Sequence, residues 1–409
     1  MPVLPAMLLA GNLLAQWPAL PLDSVIDDRT GIRHIAWFRG GLEANMNSLE
    51  NGLFAGLWRG AFLDRGMRER IRDGLKKRNR AGYLLGAEMA YIGPDSLFRR
   101  GGWHPMVHLG YHDMLGVRFA PDLYTTAFLG NAGFEGRTAE LGPSAHAAMR
   151  YATIGLGVSD AHGQRFLRLA MVRGDAMTAS ELRRADLYTA PDGRALVLDL
   201  QGDLWQSGAS SREIEAGWGL ALSGAWKGDH LLAGRPMLWR LSVEDLGFMR
   251  WRPGTFHLGR DTVIDYSGIQ IAGISSLDQT LISGDQLLDT LGLRSSRTTK
   301  LDLLPFRAAF EWVMRTDGPW YYALELRYVH LPGYMPESTL SGGRSIGPKA
   351  QVSACLGYGG FGGPRFGLGG RWRVDRHVSF GMSTTHLPGF LLGRMRGWGT
   401  QGSLIFHLP

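Results

Sequence analysis

Nine-residue segments in which every second side chain is apolar recur through the second half of the chain. In "WGLALSGAW", one face is Trp218, Leu220, Leu222, Gly224 and Trp226, and the other is Gly219, Ala221, Ser223 and Ala225. In Phe306–Met314, Phe306, Ala308, Phe310, Trp312 and Met314 oppose Arg307, Glu311 and the following Arg315. Tyr322, Leu324, Leu326 and Tyr328 oppose Glu325 and Arg327, and Val378, Phe380 and Met382 oppose Ser379, Gly381 and Ser383. A period of two means strands. Aromatics close both ends of the apolar face, as Trp218 and Trp226 or Tyr322 and Tyr328 do. Nine tilted residues at about 3.3 Å each cross an apolar band of about 25 Å, whose edges aromatics favour. The second face holds small residues and isolated charges, where a sandwich strand turned to bulk water would carry Lys, Glu and Thr. These patterns predict an all-β transmembrane antiparallel β-barrel of about 14 strands with one or two short helices. Trp218, Leu220, Leu222, Tyr322, Leu324, Leu326, Phe380 and Met382 are expected to face lipid, and Glu325, Arg327 and Ser379 to face inward.

The glycine content, 58 residues, is about twice the usual share and suits many short strands and tight turns. One glycine run needs a separate reading. "GYGGFGGPRFGLGGRWRV", from Gly357, contains the Gly-x-Gly-x-x-Gly spacing of a dinucleotide site. That fingerprint requires a helix directly after it. Here Pro364 and more glycines follow, and then the alternation of Trp372 and Val374 against Arg371 and Arg373. The run reads as a strand end, its turn and the next strand. A propeller would show a repeat of about 40–50 residues, and none is visible.

The first 22 residues carry no charged side chain, but Pro2, Pro5, Pro18 and Pro21 confine the helix-competent part to about Ala6–Leu14. A short apolar core ending in small Ala15 reads as a signal peptide over 1–15, with a barrel domain over 16–409. The single cysteine, Cys355, excludes an internal disulfide framework and a cysteine-cluster metal site. The net charge is +7, and only five of the cations are lysine. An arginine surplus reads either as solvated faces or as a preference for phosphates and carboxylates.

Two stretches are predicted to be helical. "LDRGMRERIRDGLKKRNR", Leu63–Arg80, has Leu63, Met67, Ile71 and Leu75 at spacing four on a strongly basic background. The basic helix Arg65–Arg80 is either a plug, gate or anion contact, or a solvated helix at the periplasmic rim. Ser275–Leu293 is the second candidate.

Catalytic patterns are weak. "GRSIG", Gly343–Gly347, has the spacing of a nucleophile elbow, but it runs into Pro348 and a strand where that motif needs a helix. His104, His108 and His112 are spaced by four among helix-opposing glycines and Pro105. On a strand that spacing is about 13 Å, too long for a shared metal, so they read as rim or lumen histidines. No catalytic, cofactor-binding or metal residue is assigned. The candidate lumen charges are Arg240, Glu244, Arg307, Glu311, Glu325 and Arg327. Within "RLSVEDLGF", alternation places Arg240, Ser242 and Glu244 inward, and Leu241 and Val243 on the other face with Asp245, which is expected at the strand end.

The segments "GWGLALSGAW" (Gly217–Trp226), "LSVEDLGFMRW" (Leu241–Trp251), "YSGI" (Tyr266–Ile269), "LLPF" (Leu303–Phe306), "GYMP" (Gly333–Pro336), "GYGGFGG" (Gly357–Gly363) and "GWGTQGSLIFHL" (Gly397–Leu408) together resemble a Bacteroidota family of secreted outer-membrane barrels of unknown function. Ser223 departs from it, where Asp is expected. Barrels of this kind are similar to fatty-acid-transporter-like barrels and to type IX secretion accessory barrels. The resemblance implies a barrel in the bacterial outer membrane and lends no catalytic residue. The function expected is non-enzymatic: a porin-like channel or transporter for a small or lipophilic solute. The alternative is a structural partner in type IX secretion or surface assembly. The expected partners are outer-membrane lipid and either a small solute or an envelope protein, with no cofactor and no nucleic acid.

Overall fold

A computed structural model describes residues 34–94, 102–160, 162–208, 216–232, 235–266, 295–391 and 394–408. The signal-peptide segment and the helix expected at Ser275–Leu293 lie outside the described residues. Seventeen strands run in order: β1 (His34–Met46), β2 (Asn79–Ile92), β3 (Trp103–Phe119), β4 (Arg137–Glu140), β5 (Ser144–Asp160), β6 (Phe166–Thr189), β7 (Leu196–Ser207), β8 (Gly217–Leu232) and β9 (Arg235–Tyr266), then β10 (Ser296–Leu303), β11 (Arg307–Arg315), β12 (Trp320–Val329), β13 (Met335–Ile346), β14 (Ala350–Gly360), β15 (Arg365–Arg373), β16 (Val378–Thr384) and β17 (Gly397–Leu408). All their strand pairings are antiparallel, and β1 closes on β17 from His34↔Leu408 to Asn45↔Gly397.

Three staves are interrupted. β4 and β5 both pair with β6, β7 and β8 pair with successive parts of β6, and β10 and β11 pair with successive parts of β9. Counted as continuous staves, the strands form a closed barrel of 14. The break between β10 and β11 falls at Pro305, which has no N–H for the ladder. There the chain turns Leu304 fully inside, and its N–H reaches the Gly247 carbonyl.

Short turns at 316–319, 347–349 and 374–377 share one end with the first and last described strand termini. The opposite end carries the long connections, with α1 (Asn51–Arg59), α2 (Arg65–Asp73), α3 (Pro121–Leu129) and α4 (Leu387–Leu391). Asp64 caps α2 by accepting the Met67 N–H. Ile71 of α2, Leu53 of α1, and Phe119 and Tyr124 bury one another in a small core on this loop end. Burial pushes the Tyr124 hydroxyl up to about 12.

The outer surface is apolar in a continuous band. Val107 and Leu109, Ile154 and Leu156, Leu167, Leu169 and Met171, Leu220 and Leu222, Leu326, Leu340, Leu356, Leu368 and Met382 are all exposed. Of the eight residues expected to face lipid, Trp218, Leu220, Leu222, Tyr322, Leu326 and Met382 are exposed and Leu324 and Phe380 are half-buried on the same strand faces, while Arg327 and Ser379 are buried. On β3 the band runs from Trp103 to Asp113, ten steps that span about 25 Å when tilted. At its loop-end boundary the outward charges Asp113 and Arg150 pair at 3.6 Å, and Tyr83 donates to Asp113 at 2.8 Å. Above this line β6, β7, β9 and β10 continue as a sheet that projects past the barrel wall.

Candidate functional site

The interior is layered. Near the turn end, Ile35, Ala90, Ile92, Met106, Phe166 and Ala225 form an apolar floor. The middle layer is charged and centres on two arginines. Arg307 Nη2 lies 2.7 Å from Glu88, 2.8 Å from Glu244 and 3.2 Å from Asp245. Asp245 also accepts from Tyr151 at 3.2 Å and lies 3.6 Å from Arg168. Across the barrel, Arg327 Nη2 is 2.8 Å from Glu43 and 2.9 Å from Glu337. Arg365 also pairs with Glu337, which accepts the Tyr334 hydroxyl at 2.8 Å. Between the two networks lies a void of ≈ 50 Å³ lined by Arg39, Glu43, Glu88, Arg307 and Arg327. Side chains therefore fill the middle of the barrel.

Of the six sequence-predicted charges, Arg240, Arg307, Glu311 and Arg327 are buried, and Glu244 and Glu325 are half-buried. Arg307 with Glu244 belongs to the first network, and Arg327 to the second. Arg240 pairs with Glu311 at 3.3 Å, and Glu325 lines a small void beside Arg327 and Cys355. Asp245 corrects the sequence reading. It is fully buried in mid-stave, neither at the strand end nor on the face of Leu241 and Val243. The cause is a β-bulge: Glu244 and Asp245 together oppose Ser223, and Asp245 takes φ 57. One extra residue sends two successive side chains inward and resets the outer face to Leu246 and Phe248. Asp tolerates the left-handed region better than most residues. Ser223 completes the bulge, accepting the Asp245 N–H at 2.9 Å and an Arg168 N–H at 2.9 Å.

His108 and His112 are both fully buried in the lumen. Their Nε2 atoms approach Glu88 at 3.8 and 3.7 Å, and His112 also lies 3.5 Å from Asp245. Glu88 is paired with Gly110, midway between them, and the missing side chain there lets both rings lean to one carboxylate. The two rings, four residues apart on one strand, share a partner. Among the described residues, no group of three or more histidine, cysteine or acidic side chains is arranged to hold a metal ion.

The basic helix is neither a plug nor placed with the short turns. Among the described residues it covers only Arg65–Asp73, and it lies on the loop end outside the lumen. Two inward-folded turns close that end instead. Phe361 of the glycine run packs edge-on against Tyr334 at 5.0 Å, with Leu331, Val329 and Met114 around them. A side chain at Gly116 would meet the Pro332 carbonyl at 2.7 Å and Leu331 at 2.8 Å. In the run itself, Gly359 and Gly360 take φ 113 and 64, so these glycines make a tight turn and not a nucleotide loop. Ser345 of "GRSIG" lies on β13 paired with Gln351, with no helix after it.

Beside these turns is a chamber of ≈ 800 Å³. Ala147, Met149, Met177, Ala179, Trp205, Tyr328 and Leu331 supply its apolar lining. Its rim carries Arg118 with Glu181 at 3.5 Å, Lys300 with Asp302 at 2.8 Å, and Asp203. Burial works against the Asp203 charge, but hydrogen bonds from His257 and Arg183 outweigh it and hold the carboxyl below its usual value. The chamber wall has a step. β11 pairs with β12 as far as Arg307↔Val329, whereas β10 continues past it and, among the described residues, pairs only with β9. Leu303 at the step is exposed, pairs with Phe248 of the apolar band and also lines the chamber, so the chamber borders the band's edge.

Neither a family model nor a curated relative matches the chain. Solved structures similar to it include the toluene transporter TbuX of Ralstonia pickettii, at 8% identity and a TM-score of 0.39 over 97% of this chain and 94% of that one. The toluene transporter TodX of Pseudomonas putida is 9% identical, with a TM-score of 0.36 over 91% and 87%. The translocator domain of the autotransporter NalP from Neisseria meningitidis is 8% identical, with a TM-score of 0.33 over 94% and 91%. Likeness at this level carries no further argument, and the barrel assignment stands on the strand pairing above.

Proposed function

We propose that the chain is a non-enzymatic outer-membrane transporter that accepts a small lipophilic solute through the side of its barrel. The observation that carries this reading is the chamber. It has the size of a ligand pocket, an apolar lining and a polar rim. It borders the apolar band, where a lipophile partitions, and the charged layer stops it below. In outer-membrane barrels the short turns are periplasmic and the long connections external, which puts the chamber in the outer half of the bilayer. Passage across the barrel then requires the Arg307 network to rearrange, because the void beneath, at ≈ 50 Å³, admits only a few waters.

The test is the rate at which cells expressing the barrel in their outer membrane accumulate an uncharged hydrophobic fluorophore. The parent should exceed vector-only cells. Ala147→Trp with Ala179→Trp, which fills the chamber, should bring the rate back toward vector level. Equal rates for parent and vector would overturn the reading. The projecting sheet of β6, β7, β9 and β10 favours a second reading, a docking partner in secretion or surface assembly. In that case removing the projection would abolish assembly and leave fluorophore uptake unchanged.

A further inference from the structure

The loop-end cap concentrates the charge of the whole molecule. Residues 59–80 hold nine lysines and arginines against three acids, a surplus of six where the full chain's surplus is seven. Part of this charge is neutralised locally: Arg65 pairs with Glu69, Arg70 with Glu50, and Arg72 with Asp73. Arg59, Lys76, Lys77 and Arg78 are exposed and have no acidic partner among the described residues. The same cap exposes apolar groups. Phe62 is 89% exposed, and Leu57 is exposed as well.

The cap's position explains the combination. Phe54 of α1 packs edge-on against Tyr83 with ring centroids 6.4 Å apart. Tyr83 stands on the outer face of β2, bonded to Asp113 at the upper boundary of the apolar band. Thus α1 leans on the outside of the wall, level with the line where hydrocarbon meets headgroups. An apolar side chain flanked by arginine and lysine at that depth is the pattern of an interfacial anchor. Arginine grips phosphate oxygens in pairs.

We propose that this cap is a docking surface for the phosphate-bearing headgroups of the leaflet around the barrel's loop end, with Phe62 and Leu57 seated among the acyl chains. The proposal rests on the membrane placement argued above. On that orientation the leaflet is the outer one, and the matching lipid is a phosphorylated glycolipid. Arg59, Lys77 and Arg78 lie outside the lumen and the chamber, so changing them leaves the transport machinery intact.

The experiment uses the full chain in nanodiscs of phosphatidylcholine, with and without lipid A, and measures lipid A retention at low salt. The triple variant Arg59→Glu/Lys77→Glu/Arg78→Glu should hold lipid A about tenfold less tightly or worse, with unchanged stability in phosphatidylcholine alone. Phe62→Ser should weaken retention at low and high salt alike, because its contribution is not electrostatic. Retention equal in parent and triple variant would overturn the proposal. So would displacement of lipid A by millimolar inorganic phosphate, which would mark a site for free anions. A chain that fails to enter phosphatidylcholine nanodiscs at all would instead defeat the underlying membrane reading.

Discussion

Replacing Arg307 by Met tests the charged layer at its centre. Its Nη2 atom lies within 3.2 Å of three carboxylates, those of Glu88, Glu244 and Asp245, and all four residues are largely shielded from water. Methionine keeps most of the volume but removes the charge. Glu244 and Glu88 then lose their closest cation, and Asp245 keeps Arg168 at 3.6 Å and the Tyr151 hydroxyl. Removing one partner of a buried ion pair typically costs about 3–5 kcal/mol, because the remaining charge is stranded. With more than one carboxylate stranded, Arg307→Met should fall in the upper part of that range. The assay is urea unfolding from lipid vesicles, followed by the intrinsic fluorescence of the 13 tryptophans. Adding Asp245→Asn to Arg307→Met should recover about 1 kcal/mol or more, since it removes one of the crowded charges. An Arg307→Met stability within about 1 kcal/mol of the parent, the value of an exposed pair, would show that the layer is not a buried ion network. A further loss on adding Asp245→Asn to the Arg307 variant would show the same.

Leu324→Arg places a charge on the lipid face and should cost about 2–4 kcal/mol in the same unfolding assay if it lies near mid-bilayer, whereas a substitution on a water-facing surface would cost almost nothing. Gly116→Val should push the inward turn at Leu331–Pro332 out of the lumen, lowering stability by about 1–3 kcal/mol and exposing Phe361 to iodide quenching through a Phe361→Trp reporter. The projecting sheet should loosen in acid. The Asp203 carboxyl is held below its ordinary value of 3.8 in the folded state, so its ionised form stabilises the fold above that pH. That contribution is lost as pH falls from about 3.8 through the lower folded value, and hydrogen exchange over residues 196–207 and 256–266 should rise over that interval in the parent and less in Asp203→Asn.

The barrel was legible because a lipid-facing stave has to alternate, and Trp218–Trp226 or Tyr322–Tyr328 show this in the bare sequence. The burial of Arg240, Arg307, Glu311 and Arg327 follows from the same alternation. The bulge was missed, although its trace is present: the apolar phase is odd at Leu241 and Val243 and even at Leu246 and Phe248. A slip of one residue exchanges the faces of a strand, so such a phase change marks an inserted residue. What no local pattern carries is contact across the lumen. Glu88 meets Arg307 from 219 positions away, and the two histidines reach Glu88 only because Gly110 stands opposite it. The chamber was equally hidden, since it depends on where β12 ends relative to β10.

The most direct measurement of the central claim is photolabelling from within the bilayer. The full chain in nanodiscs would be loaded with an alkyl diazirine, irradiated and mapped by peptide mass spectrometry. Labels are expected inside the chamber, on Met149, Met177, Tyr328 and Leu331, in addition to the lipid-facing band, with the chamber labels lost in the Ala147→Trp/Ala179→Trp variant. Labels confined to outward residues such as Leu220, Leu222 and Leu326, with none in the chamber, would contradict it.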